Sequence, residues 1–154
     1  MALLKDQDRL QLQAELKKLQ APVKLVFFTQ SLNCEYCPTT QQILEEVTAL
    51  SDKIQLQTYN FAIDREQVAA YKITRVPAIA VVRVENIAKD GALETRERDY
   101  GIRYYGIPAG YEFAALIGDI MDVSSGESGL AAGTKTALAN LKEPVHLQVF
   151  STPT

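Results

Sequence analysis

Cys34 and Cys37 are the two cysteines of the 154-residue chain, and they stand three positions apart in Cys34-Glu35-Tyr36-Cys37. Thiols at that spacing can exchange with disulfides or ligate a metal. A structural staple is a poor reason for the pair, because closing so short a loop restricts the unfolded chain by only about 2 kcal/mol. Zinc needs about four ligands, and the single histidine, His146, lies alone in a strand-like pattern, so no metal is expected. Exchange chemistry remains. At a helix start the first sulfur faces unpaired backbone N–H groups and the positive end of the dipole, which favour the thiolate. That assigns attack to Cys34 and resolution to Cys37, one helical turn on. Glu35, a negative charge between the sulfurs, opposes Cys34 ionisation and offsets part of the helix effect.

The pair must be held by neighbouring elements. Val23-Lys24-Leu25-Val26-Phe27-Phe28 is a nearly continuous apolar run, as in a strand covered on both faces. After the dithiol, Pro38 suits a first helical turn, and Ile43, Leu44, Val47 and Leu50 supply a helical apolar face. Ile54 to Phe61 alternates as a second strand, and the helix between makes the two strands parallel. A short helix over Arg65 to Tyr71 follows. Ala78 to Val84 and Asp99 to Tyr105 read as an antiparallel hairpin around the charged turn Lys89-Asp90-Gly91. Pro108-Ala109-Gly110 opens a last helix through Met121. An amphipathic helix within Leu3 to Leu19, carrying Leu12, Leu16 and Leu19, precedes all of these. Glu94 to Arg98 reads as solvated hairpin. Among Tyr100, Tyr104 and Tyr105, alternation puts the last two on opposite faces, so core packing is expected for at least one.

Composition narrows the partners. A net charge of -3 supplies no basic footprint for nucleic acid or anionic lipid. Lys5, Asp6, Asp8 and Arg9 interrupt the start where a secretory signal needs an unbroken apolar run, and no segment approaches the ~18 apolar residues of a membrane span, so a cytoplasmic protein is expected. After Val123 the run Ser124-Ser125-Gly126-Glu127-Ser128-Gly129 is a linker signal. A short helix from about Thr134 to Leu141 and an alternating strand from Val145 to Phe150 follow it. This predicts two parts, a redox unit over 1–126 and, over 127–154, a linker helix plus a strand that a family resemblance, set out next, makes the first strand of a second unit, with self-association through 144–154.

The segments Asn60 to Asp64 and Tyr71-Lys72-Ile73-Thr74-Arg75-Val76-Pro77-Ala78, taken with the dithiol, resemble the thioredoxin family. The element order, β-α-β-α-β-β-α behind an extra helix, is that of its fold, an α/β mixed four-stranded sheet flanked by helices. Arg103-Tyr104-Tyr105-Gly106-Ile107-Pro108-Ala109-Gly110, then Ser124, Leu130, Thr134 and the ending Val149 to Thr154, look like the glutaredoxin-like protein disulfide oxidoreductases, whose chains fuse two thioredoxin units. The resemblance covers essentially the whole chain. It implies a cis bond at Val76-Pro77 and a substrate-binding set of Glu35, Tyr36, Arg75, Val76, Pro77 and Gly106, with catalytic Cys34 and Cys37. It further implies protein disulfides as substrates, a redox-active disulfide in place of any cofactor, an upstream dithiol reductase, and a peroxidase as a further partner. Two alternatives stand beside it: a docking or electron-relay module, and an intersubunit iron–sulfur carrier built from the same cysteines. Two positions depart from thioredoxin. The buried Asp about six residues before the first cysteine is Phe28 here, and the tryptophan before the dithiol is Asn33.

Overall fold

The computed structural model describes residues 3–89 and 92–150. Its elements run α1 (Asp6–Leu16), β1 (Val23–Thr29), α2 (Cys37–Thr48), β2 (Ile54–Asn60), α3 (Arg65–Ala70), β3 (Ala78–Lys89), β4 (Ala92–Tyr105), α4 (Tyr111–Ser125) and α5 (Ala132–Ala139). The strands form one mixed sheet in the order β2-β1-β3-β4. β1 pairs parallel with β2 and antiparallel with β3, and β3 pairs antiparallel with β4. This is the sheet and the element order that the resemblance implies.

β1 sits second in the sheet, with both faces covered, which is why its residues form an apolar run instead of an alternation. On one face Leu25 and Phe27 pack with Leu16 of α1, Ile43, Leu44 and Val47 of α2, and Leu116, Ile120 and Val123 of α4. On the other, Val26 and Phe28 pack with Val68 of α3, Ile73, Ala78, Ala80 and Val82. The sheet is thereby held between two apolar layers, and the loops at the carboxyl end of β1 are aimed by a rigid centre. α1 is tied down as well, since Glu46 on α2 accepts the N–H groups of Leu3 (2.7 Å) and Leu4 (2.9 Å).

The hairpin is longer than its sequence pattern. β3 continues past Val84 to Lys89 and β4 starts at Ala92, with pairs from Arg83↔Arg98 out to Lys89↔Ala92. Glu94 to Arg98 are therefore strand residues, exposed ones. The expected turn at Asp90-Gly91 lies outside the described residues, as do Ser151 to Thr154. Between Ala80 and Val82 the register slips. Gly101 at φ 85 gives β4 the backbone freedom for this bulge, and its N–H is held by the Asp99 carboxylate at 2.9 Å.

Two expectations at the carboxyl end need correction. Ser124 is not linker: α4 runs through Ser125, Gly126 at φ 74 caps it in the left-handed conformation, and Ser124 is only 1% exposed. Nor does Val145 to Phe150 form a strand. Its apolar residues alternate, but a strand exists only by pairing with another, and this segment joins neither β2 nor β4. Val145, Leu147, Val149 and Phe150 are exposed.

Candidate functional site

Beyond Thr29 an irregular loop leads into α2. Asn33 lies in this loop at φ 57, a left-handed conformation that Asn accepts more readily than most residues. Cys34 precedes the helix, which starts at Cys37 with Tyr36 as its N-cap and Pro38 in its first turn. The Cys37 N–H donates to the Cys34 carbonyl at 3.3 Å, and the Thr40 N–H to the Tyr36 carbonyl at 3.0 Å. No acidic residue lies in the first turn, so no carboxylate there offsets the positive end of the helix. The two cysteines are joined as a disulfide, their Cα atoms 5.4 Å apart. Cys34 is half-buried, whereas Cys37 is 3% exposed. Glu35 and Tyr36 between them face solvent.

Pro77 is buried, immediately ahead of β3, and the Val76–Pro77 peptide bond is cis. The Gly106 N–H donates to the Pro77 carbonyl at 3.0 Å. Gly106 itself takes φ 94 as the chain leaves β4, a conformation that favours glycine. The Thr40 hydroxyl, fully buried in α2, lies 2.9 Å from the Tyr36 carbonyl and 3.4 Å from that of Gly106. A continuous set of hydrogen bonds thus joins the first turn of the dithiol helix, the loop after β4 and the proline at the head of β3. Val76 is half-buried and packs with Tyr105 against the apolar cluster around Phe28. Arg75 is exposed, its guanidinium 4.7 Å from the centre of the Tyr105 ring.

Thr40 is the site residue that the motifs miss. It falls on the same helical face as Cys37, Leu44 and Val47, so the available signal is a polar side chain at a core-facing position. Phe28, where the family resemblance implies an acid, is fully buried between the rings of Tyr59 (centroids 5.7 Å) and Tyr71 (5.6 Å). No carboxylate takes part from that position. Tyr104 and Tyr105 of β4 lie on opposite faces, as alternation predicts: Tyr104 packs toward α4 and donates to Asp119 at 2.5 Å, while Tyr105 packs on the side of Ala78. Burial, then the bond to Asp119, raises the Tyr104 phenol above its ordinary range. Among the described residues, no three His, Cys, Asp or Glu side chains gather as metal ligands, and no helix is long and apolar enough to cross a membrane.

No protein-family model matches the chain. The chain is 37% identical over 60 residues to a probable thioredoxin of Methanothermobacter marburgensis, a stretch covering 38% of this chain and 69% of that protein. To a probable thioredoxin of Methanothermobacter thermautotrophicus it is 29% identical over 101 residues, 65% of this chain and 98% of that one. Among solved structures it is similar to a protein disulfide oxidoreductase of Aeropyrum pernix, with a TM-score of 0.72 and 29% identity, covering 90% of this chain. It is also similar to the NTD_N/C domain of the alkyl hydroperoxide reductase AhpF of Enterococcus faecalis, at a TM-score of 0.70 and 25% identity over 86% of this chain. The chain spans 55% and 58% of those two. A Cys-x-x-Cys disulfide at the start of a helix, a cis proline heading a strand of the same sheet, and sequence identity to two probable thioredoxins converge on one assignment: the chain belongs to the thioredoxin family.

Proposed function

We propose that the chain is a thiol–disulfide oxidoreductase that acts on protein disulfides through Cys34 and Cys37. The observation that carries this reading is their asymmetry: one sulfur half-exposed before the helix, the other buried within it, at a separation that already accommodates their disulfide. In the reduced chain the Cys34 thiolate attacks one sulfur of a client disulfide, forming a mixed disulfide and releasing the other client sulfur as a thiolate. The Cys37 thiol, having lost its proton, then attacks the Cys34 sulfur and expels the second client thiolate. The client gains two electrons and, from solvent, two protons. The chain is left with the Cys34–Cys37 disulfide, which an upstream dithiol reductase returns to the dithiol.

The backbone of Arg75 and Val76 is the edge along which an extended client strand would lie, bordered by Pro77, Gly106 and the exposed Glu35 and Tyr36. The setting is the cytoplasm, and residues 1–126 form the working unit. The test is dithiothreitol-driven reduction of insulin by the unmodified chain and by Cys34→Ser. Acceleration by the first and none by the second is the expected result; equal rates overturn the reading. A second reading, electron relay to a peroxidase, is favoured by the likeness to AhpF. Reduction of a disulfide-form peroxidase at least as fast as insulin would favour it.

A further inference from the structure

We infer that Arg75 selects clients carrying a carboxylate beside their disulfide. This rests on the redox reading above and names the substrate class of the same site. Arg75 stands two residues before Pro77, at the start of the edge proposed to receive the client. Its side chain is not loose. The guanidinium sits 4.7 Å from the centre of the Tyr105 ring; Tyr105 pairs with Ala78, the residue after Pro77, and packs, as Val76 does, against the buried cluster around Phe28. A guanidinium held over an aromatic face is restrained by the cation–π contact while its N–H donors stay available. An arginine so arranged loses less conformational freedom on meeting a carboxylate than a free one does.

The charge at Arg75 is also unspent. Arg9, Arg83 and Arg103 each lie within ion-pair distance of a carboxylate, Glu46, Glu85 and Asp99 respectively. Among the described residues, Arg75 has the Tyr105 ring as its partner and no acid. In a chain with a net charge of -3, an unpaired, pre-positioned cation at the rim of the site is complementary to an acidic client. Glu35, between the sulfurs, has the opposite sign. The preference therefore depends on which flank of the disulfide carries the carboxylate.

The test uses short disulfide-linked peptides with Glu, Gln or Lys beside the cysteine, in one series on its amino side and in another on its carboxyl side. Each is reduced in single turnovers by the pre-reduced chain. In the series that meets Arg75, the unmodified chain should reduce the Glu peptide about three-fold faster than the Gln peptide, the scale of an exposed ion pair, and the Lys peptide more slowly than either. Arg75→Gln should remove the preference, and Arg75→Glu should invert it. Raising the salt from about 0.02 M to about 0.5 M should flatten it in the unmodified chain, because the contact is exposed. Equal Glu-to-Lys ratios in the unmodified chain and in Arg75→Glu overturn the inference and leave the redox reading intact. A chain that reduces none of the peptides refutes the redox reading, and this inference with it.

Discussion

Replacing Ser124 with alanine should cost more stability than a serine next to a linker normally does. Its hydroxyl accepts the N–H groups of Gln20 (2.9 Å) and Ala21 (3.0 Å) and donates to the Ala21 carbonyl at 2.6 Å. These bonds close the end of α4 onto the turn between α1 and β1. In Ser124→Ala the Ala21 N–H keeps a second acceptor, the Ser124 backbone carbonyl at 3.3 Å. The Gln20 N–H and the Ala21 carbonyl lose theirs. Two such losses at about 1 kcal/mol each, in a spot that solvent partly reaches, give about 2 kcal/mol. For a chain of this length that corresponds to a fall in Tm of about 4–8 °C. Ser125→Ala is the control, because its hydroxyl bonds only within the local turn, to the Asp122 and Glu127 backbone. Thermal and urea unfolding of both variants should separate them. If Ser124→Ala shifts Tm no more than Ser125→Ala, the hydroxyl does not close this corner and the reasoning fails.

Glu46→Gln should weaken the docking of the amino-terminal residues on α2. The N–H groups of Leu4 and Leu3 hold the Glu46 carboxyl below the usual carboxylate range, with help from Gln42 and Arg9 and against its own burial. A depressed folded pKa adds stability above the unfolded value and loses it as pH falls through the folded one. The gap between the unmodified chain and Glu46→Gln should therefore be widest near neutrality and close below about pH 4, as read by urea unfolding across pH. In the reduced chain, iodoacetamide should alkylate Cys34 well before Cys37, since the second sulfur is buried; faster labelling of Cys37 by mass spectrometry would reverse their roles. Deleting residues 144–154 should leave insulin reduction unchanged and lower any concentration-dependent dimer seen by analytical ultracentrifugation, because Val145, Leu147, Val149 and Phe150 are exposed and unpaired. Unfolding on that deletion would instead make the tail part of the first unit's core.

What the sequence carries well is burial, and what it carries poorly is pairing. The apolar run from Val23 to Phe28 becomes the doubly covered β1 because every second side chain meets a different helix layer. The outer half of the hairpin, Glu85 to Lys89 against Ala92 to Arg96, is held by backbone ladders and covers no apolar layer, so no periodicity announces it. Val145 to Phe150 shows the converse: alternation is present, yet no strand edge receives it. Cys34 and Cys37 are legible because their spacing is itself the chemistry. Thr40 and Ser124 are not, because small hydroxyl residues are common in turns and linkers, and only the fold reveals that both are buried and bonded across long stretches of chain. The Arg75–Tyr105 stack depends on Tyr105 facing Ala78 across the hairpin, a register that a bulge at Gly101 shifts and that no local pattern records.

The most direct test of the redox account is trapping. Reduced Cys37→Ser and Cys34→Ser chains are mixed with a disulfide-containing client, quenched with acid, and resolved by non-reducing electrophoresis and peptide mass spectrometry. Cys37→Ser should accumulate a mixed disulfide through Cys34, since the resolving thiol is gone, and Cys34→Ser should accumulate none, since its remaining sulfur is buried. Equal trapping through Cys37, or none in either variant, would contradict the account.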